Sequence, residues 1–291
     1  MLKARPRVNR TVAKGRTATS PYDRRVTSKS PERRLVFGQV AELYEQARPS
    51  YPNELVEDVL ACAQLGPNDR ILEVGAGTGK ATRLFARGGA EVVAIEPSHE
   101  MSAVARAACA AFPSVKIIEA EFETWQPSAE PFKLLICAQA WHWIDPEVRY
   151  SRARAALASG GLLAAFWNWP DWEQVPLRPA LDAAYRSEAP QLITSGGPMN
   201  SLTGGADLVS DWAPEIAATE GFDRPEVRLY RWRCHYTTRQ YVKLLATHSD
   251  HALLERRARE RLLDRVAAAI EDHGGAFELP YITRLCLARA T

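Results

Sequence analysis

Short β-rich runs alternate with helical runs after residue 70, the strands are nearly unbroken apolar stretches, and a glycine-rich turn follows the first of them. Together these three observations predict a doubly wound α/β fold, because a parallel sheet covered on both faces needs strands that are apolar on both sides. Ahead of the sheet, Phe37, Val40, Ala41, Tyr44 and Ala47 recur at helical spacing and predict an amphipathic helix that stops before Pro49. A second helix is expected from Pro52 through Leu55, Val56, Val59 and Leu60 to about Gln64, with Gly66 and Pro67 as its stop. Strands follow at Ile71–Val74, Glu91–Ile95, Val115–Ile118, Leu134–Cys137 and Leu162–Phe166. Helices carried by Ala81, Leu84 and Phe85, by Met101, Val104, Ala105 and Ala108, and by Val148–Leu157 fill the gaps.

Regularity lapses between Trp167 and Phe222, where Trp167, Trp169, Trp172 and Trp212 accompany a Gly/Ser/Thr-rich loop at Thr194–Gly205. This stretch is expected to form a cap over the sheet, with one helix near Leu177–Arg186. Beyond it come a strand near Val227–Tyr236, helices at Thr238–Ala246 and Ala252–Asp272, a stop at Gly274-Gly275 and a closing strand at Ile282–Ala288.

The chain has 291 residues, 46% of them apolar and 25% charged, an ordinary composition with ample material for a core. Its apolar runs around Leu134–Ile144 and Ala155–Pro170 are shorter than a membrane span and interrupted by polar residues or proline. Met1–Arg34 is basic throughout with no apolar centre, unlike a signal peptide. The five cysteines are scattered and form no CxxC pair, which argues against a disulfide framework or zinc knuckle and fits a reducing, cytoplasmic setting. A net charge of +2 conceals a division: residues 1–36 hold eleven basic and two acidic side chains, net +9, leaving −7 on residues 37–291. Without apolar periodicity, the basic segment is expected to be a disordered tail on an acidic domain.

The strongest chemical signal is Arg70-Ile-Leu-Glu-Val-Gly-Ala-Gly-Thr-Gly79, at the carboxyl end of the first strand, where open α/β sheets bind ligands. Glycines there let the backbone approach a ligand closely. The spacing is GxGxG. Lys80 stands where a dinucleotide fingerprint needs its last glycine, and Ala81 after Lys80 breaks a phosphate-loop pattern. A second acidic residue, Glu96, closes the second strand about 20 residues later, and a carboxylate can accept from two hydroxyls at once.

Glu73-Val-Gly75-Ala76-Gly77-Thr78-Gly79 resembles motif I of the class I S-adenosylmethionine-dependent methyltransferases, and the resemblance spans about residues 37–291. It implies a Rossmann-like seven-stranded sheet with the last strand antiparallel, a helical N-terminal entry and S-adenosylmethionine as cofactor. The motif would hold the methionine moiety, and Glu96, with Pro97 and Ser98 beside it, the ribose. Met101 and Phe122 would lie against the adenine, with Glu121 or Glu123 accepting from its amino group; both apolar residues read equally well as core. Ala138 and Gln139 would line the channel to the acceptor. Phe37, Ala41, Tyr44, Arg48-Pro49 and Tyr51-Pro52 resemble the entry helix of small-molecule members similar to trans-aconitate methyltransferase, Ala138–Asp145 resembles the segment after their fourth strand, and Ser159–Asn168 their loop into the fifth. One departure is Lys133, where the family usually has Asp just before the fourth strand; a local capping change is expected.

Methyl transfer from a sulfonium needs alignment more than proton transfer. A carboxylate acceptor needs no base; for a hydroxyl or amine, His142 is the candidate, and a structural histidine between Trp141 and Trp143 is the other reading. Tyr44 and Arg48, one turn apart, with Trp141 and Trp167, are expected to line an aromatic or apolar acceptor pocket, where Arg48 could bind a carboxylate; a cap on its own helix end is an equal reading of Arg48. No metal is expected: His248 and His251 share a helical face but no ligand set completes them. These readings predict a methyltransferase acting on O or N of a small molecule. A nucleic-acid methyltransferase gripping phosphates with its tail is disfavoured by Ala-Gln-Ala-Trp after the fourth strand, and a silent cofactor-binding module by the intact glycine loop and Glu96.

Overall fold

A computed structural model describes residues 41–66, 68–127, 130–173, 175–194 and 212–291. The basic tail, Phe37, Val40 and nearly all of the Thr194–Gly205 loop lie outside them. Two entry helices, α1 (Ala41–Ala47) and α2 (Asn53–Ala63), precede β1 (Arg70–Val74), α3 (Lys80–Ala86), β2 (Glu91–Glu96), α4 (His99–Ala108), β3 (Val115–Glu119) and β4 (Phe132–Ala138). A single 3-10 turn (Trp141–Trp143) leads to α5 (Arg149–Ala156), β5 (Leu157–Pro170), α6 (Arg178–Glu188), α7 (Pro190–Thr194) and α8 (Ala213–Ala217). The chain closes with β6 (Glu226–Thr237), α9 (Thr238–Ala246), α10 (Ser249–Ala252), α11 (Arg256–Glu271) and β7 (Ala276–Arg289).

The seven strands form one sheet in the order β3-β2-β1-β4-β5-β7-β6. Neighbours from β3 to β5 are parallel, and β7 runs antiparallel to both β5 and β6. Strand order reverses between β1 and β4, which opens a crevice at their carboxyl ends. Alternation along the strands divides the interior. Leu72, Val74, Leu135 and Cys137 face one core, while Ile71, Leu134 and Ile136 face the other with Leu55 and Val59 of α2 and Phe85 of α3. A third core, built on Trp172, Tyr185, Tyr236, Tyr241 and Tyr281, fills the space between α6, α9, α11 and the β6–β7 pair. No helix of the described residues is long and apolar enough to cross a membrane.

Three expectations change. β5 runs on to Pro170, so Trp167 and Trp169 are strand residues paired with Arg284 and Ile282 of β7, and the irregular stretch starts later than residue 167. Inter-strand pairing overrode the turn-like Asn-Trp-Pro sequence. Lys133 lies inside β4, opposite an irregularity in which residues 158–161 of β5 face this one position, so it is a strand residue instead of a cap. The helix expected over Ala252–Asp272 starts later, at Arg256, because Glu255 accepts from the Ala258 N–H at 3.0 Å and caps α11; the short α10 precedes it separately.

Candidate functional site

The three glycines after β1 all have left-handed backbone, at φ +71°, +57° and +81° for Gly75, Gly77 and Gly79, and each meets a different constraint. A Cβ on Gly75 would sit 2.3 Å from the Ala140 Cβ, so that glycine lets the loops after β1 and β4 meet. A Cβ on Gly79 would press on Cys109 and Ala105 of the α4 end. At Gly77 nothing lies within 4 Å, so the cradle there faces open space. The Gly75 and Ala76 N–H groups both donate to the Ile95 carbonyl, at 2.9 and 3.0 Å, and hold the loop to β2.

Two buried carboxylates flank the cradle. Glu96 Oε2 accepts from the Gly77 N–H at 2.8 Å and Oε1 from the Ser98 N–H at 3.0 Å. Ser98 then caps α4 by accepting from the Met101 N–H at 3.3 Å, and Pro97 is exposed beside it. Glu73 is 1% exposed: Oε2 accepts from Thr82 Oγ1 at 2.6 Å, and Oε1 has no partner among the described residues. Burial, with the nearby charge of Glu96, lifts its carboxyl to about 8 against the opposing effects of Thr82 and Arg83, so it carries a proton at neutral pH.

Glu45 was missed in the sequence, and it ties the entry helix over this loop. Its carboxylate accepts from Thr78 Oγ1 at 2.6 Å and pairs with Arg83 at 2.6 Å and with Lys80 at 3.6 Å; Lys80 also donates to its carbonyl. A weak signal was present: Lys80 opens α3, where the helix dipole disfavours a cation and a nearby carboxylate offsets it. Arg48 is held by a neighbour distant in sequence. Its Nε donates to Thr247 Oγ1 at 2.8 Å and Nη2 to the Thr247 carbonyl at 3.0 Å, with the guanidinium over the Tyr44 ring at 5.0 Å. It anchors the entry segment to the end of α9 and is not held out to a ligand. Farther along, Ser50 is tied to the sheet through Asn168, which in turn accepts from Thr283. Tyr51 packs edge-on against Phe166 at 4.9 Å, its hydroxyl pushed up by burial and by the neighbouring Tyr44 and Glu73.

At the end of β4, Ala138 is buried and Gln139 takes left-handed backbone at φ +63°, a strained geometry for a side chain with a Cβ, while its N–H donates to Phe166 at 3.0 Å. Neither residue type announces this bend. Trp141 is fully buried against Tyr150 at 5.5 Å, and Phe122 lies in the same core. Both are core side chains, so Trp141 leaves the acceptor pocket and Phe122 takes the core reading; Met101 is buried as well. Glu123 accepts from the Asp145 N–H at 3.2 Å and so holds the turn after Trp143. His142 stays near the crevice, against Trp143 at 4.6 Å and half-buried Trp167 at 4.5 Å. Burial, with the Arg149 charge, pushes it down to about 3, which makes it a weak base and favours its structural reading. The four tryptophans do not form one wall either, since Trp172 and Trp212 are buried in different cores.

A second cluster lies across the entry segment. His248, Asp250 and His251 each place a ligand-type atom within 4.8 Å of the other two, so a carboxylate does complete the histidine pair. Burial and the Arg48 charge keep His248 well below the usual range, and Asp250, held by His251, stays below its own despite burial.

Residues 71–161 match the model of a methyltransferase domain. A methyltransferase of uncharacterized activity from Mycobacterium tuberculosis is 30% identical over 262 residues, covering 88% of this chain and 96% of that protein. A protein of Saccharomyces cerevisiae, assigned provisionally as an S-adenosylmethionine-dependent methyltransferase, is 30% identical over 147 residues, 49% of this chain and 50% of its own length. Among solved structures, one from Anaeromyxobacter dehalogenans, provisionally a type II methyltransferase, superposes with a TM-score of 0.56 at 20% identity and covers 84% of this chain and 97% of its own.

Proposed function

The chain belongs to the class I S-adenosylmethionine-dependent methyltransferases, and from that premise we propose that it methylates an oxygen or nitrogen of a small molecule, with a carboxylate as the favoured acceptor group. The observation that carries this reading is the closure of α1 over the glycine loop through Glu45, Thr78, Lys80 and Arg83. An acceptor reaching such a site must fit under a helix, which suits a small molecule better than a polymer.

The open cradle at Gly77 and the unpartnered Glu73 oxygen fit a polar ligand seated on this loop. Gly75, Ala76, Gly77, Thr78 and Gly79 would hold the methionine end of S-adenosylmethionine, and Glu96, with Pro97 and Ser98, the ribose. Met101 would border the adenine. When bound, the cofactor supplies an electrophilic methyl group on a cationic sulfur. The protein's own part is alignment and exclusion of water. On this reading Ala138 and Gln139 would border the crevice from the β4 side, Tyr44 and Tyr51 from the entry side, and Trp167 from β5. Arg48 acts by fixing the entry segment to Thr247. Because His142 is too weak a base, an acceptor that is already anionic at neutral pH suits the site; carboxylates ionise near pH 4.

The test is calorimetry of the full chain with S-adenosylmethionine, followed by incubation of methyl-labelled cofactor with panels of carboxylic acids, alcohols and amines. Label that enters a carboxylic acid and is released by mild alkali identifies a methyl ester and supports the reading. Label found only in amines or alcohols removes the carboxylate preference, and label found only in nucleic acid or protein overturns the small-molecule assignment.

A further inference from the structure

The turn between α9 and α10 brings together chemistry that methyl transfer does not use. Asp250 Oδ1 lies 2.8 Å from His251 Nδ1 and also accepts from the His251 backbone N–H at 2.8 Å. His251 is fully buried, and its Nε2 is 2.7 Å from the Tyr185 hydroxyl of α6. The His248 ring stands edge-on to His251 with centroids 5.5 Å apart, is half-buried, and makes no side-chain hydrogen bond among the described residues.

We propose that His248, Asp250 and His251 form a binding site for a divalent transition-metal ion of the zinc class. Two imidazoles and a carboxylate are a donor set that such ions take, with a water completing the coordination. Ligands about 2.1 Å from a tetrahedral ion stand about 3.4 Å from one another. The three donors already lie within 4.8 Å, a gap that side-chain rotation of His248 and Asp250 closes. Tyr185 supplies the outer contact that orients a metal-bound histidine. With the ion on Nδ1, the His251 ring proton moves to Nε2 and is donated to the Tyr185 oxygen. Asp250 exchanges that Nδ1 contact for the metal and keeps the backbone N–H.

Position gives the ion a role. His248 directly follows Thr247, whose hydroxyl and carbonyl hold Arg48 of the entry segment. A metal bound there braces the turn on which the entry segment is anchored. It is a brace and not a reactant, so its detection needs neither cofactor nor turnover.

The test uses the full chain without a polyhistidine tag, stripped with chelator and titrated with cobalt(II) alone. One equivalent is expected to produce the visible bands of low-coordinate cobalt and to be displaced by zinc(II), and the thermal unfolding midpoint should rise with either ion. His248→Ala should abolish both signals while leaving the metal-free midpoint in place, because that ring makes no hydrogen bond. Tyr185→Phe should weaken binding on the order of tenfold or more. His99→Ala, in the exposed first turn of α4, should bind as wild type. Absence of cobalt bands up to millimolar ion, or equal binding by wild type and His248→Ala, would overturn the proposal and leave Asp250, His251 and Tyr185 as a purely structural relay.

Discussion

Around the glycine loop, contacts are made mainly by the backbone: left-handed glycines, peptide N–H groups on Ile95 and Glu96, and a bend at Gln139. Around Trp172 they are made by rings, with Tyr241 and Phe277 at 6.0 and 6.1 Å and the Tyr236 and Tyr281 hydroxyls 3.1 Å apart. The first region positions polar groups at the edge of a crevice and leaves one carboxylate oxygen unsatisfied. The second satisfies itself and exposes little. On the proposed function, the ligand site lies where the backbone is constrained and stability where side chains interlock, and the two should respond differently to substitution.

The largest effect on folding is expected from Trp172→Ala. Removing a ring that is 1% exposed should cost about 3–5 kcal/mol in denaturant unfolding while the folded fraction binds S-adenosylmethionine as before. A parallel loss of cofactor affinity would break the separation of the two regions.

Glu73→Gln addresses the unsatisfied oxygen. The folded carboxyl sits at about 8 against an ordinary 4.5, so the folded state binds the proton more tightly. Wild-type stability is then fully present below pH 4.5 and is lost as pH rises toward 8, by an amount on the order of 5 kcal/mol at about 1.4 kcal/mol per pKa unit. The glutamine variant should lack that decline. Unfolding midpoints that fall equally with pH in both proteins would show that Glu73 is ionised in the folded state.

Two glycines dissect the loop itself. Gly75→Ala forces a Cβ against Ala140 as well as strain, and should destabilise by about 2–3 kcal/mol. Gly77→Ala meets no protein atom, so about 1 kcal/mol of backbone strain is expected, together with a marked fall in cofactor affinity. Equal unfolding curves for the two variants would contradict the contact at Ala140. Glu45→Gln should have the smallest effect on folding, since its partners are partly exposed, and should weaken cofactor binding about tenfold, or about 1.4 kcal/mol. Unchanged affinity would mean that α1 does not close the site.

Much of this was legible in sequence. Glu73, the three glycines and Glu96 stand where strand ends and turn chemistry place them, and all seven strands were expected within a few residues of their bounds or shorter than observed. His142, Arg48 and Trp141 were not resolved by the sequence because their residue types suit both a site and a structural role. Only neighbours distant in sequence separate those roles: Arg149 beside His142, Thr247 on Arg48, Tyr150 on Trp141.

The sequence by itself determined the strand and helix alternation, the glycine loop and the acidic residue after the second strand, because these depend on short-range periodicity and backbone conformation. Only the tertiary structure decided that Glu45 reaches Thr78 and Arg83, 33 and 38 residues away, and that Arg48 is held by Thr247, 199 residues away. The physical reason is that a side chain's partner, burial and protonation are set by whatever the fold packs against it, and the local pattern contains no record of that neighbour.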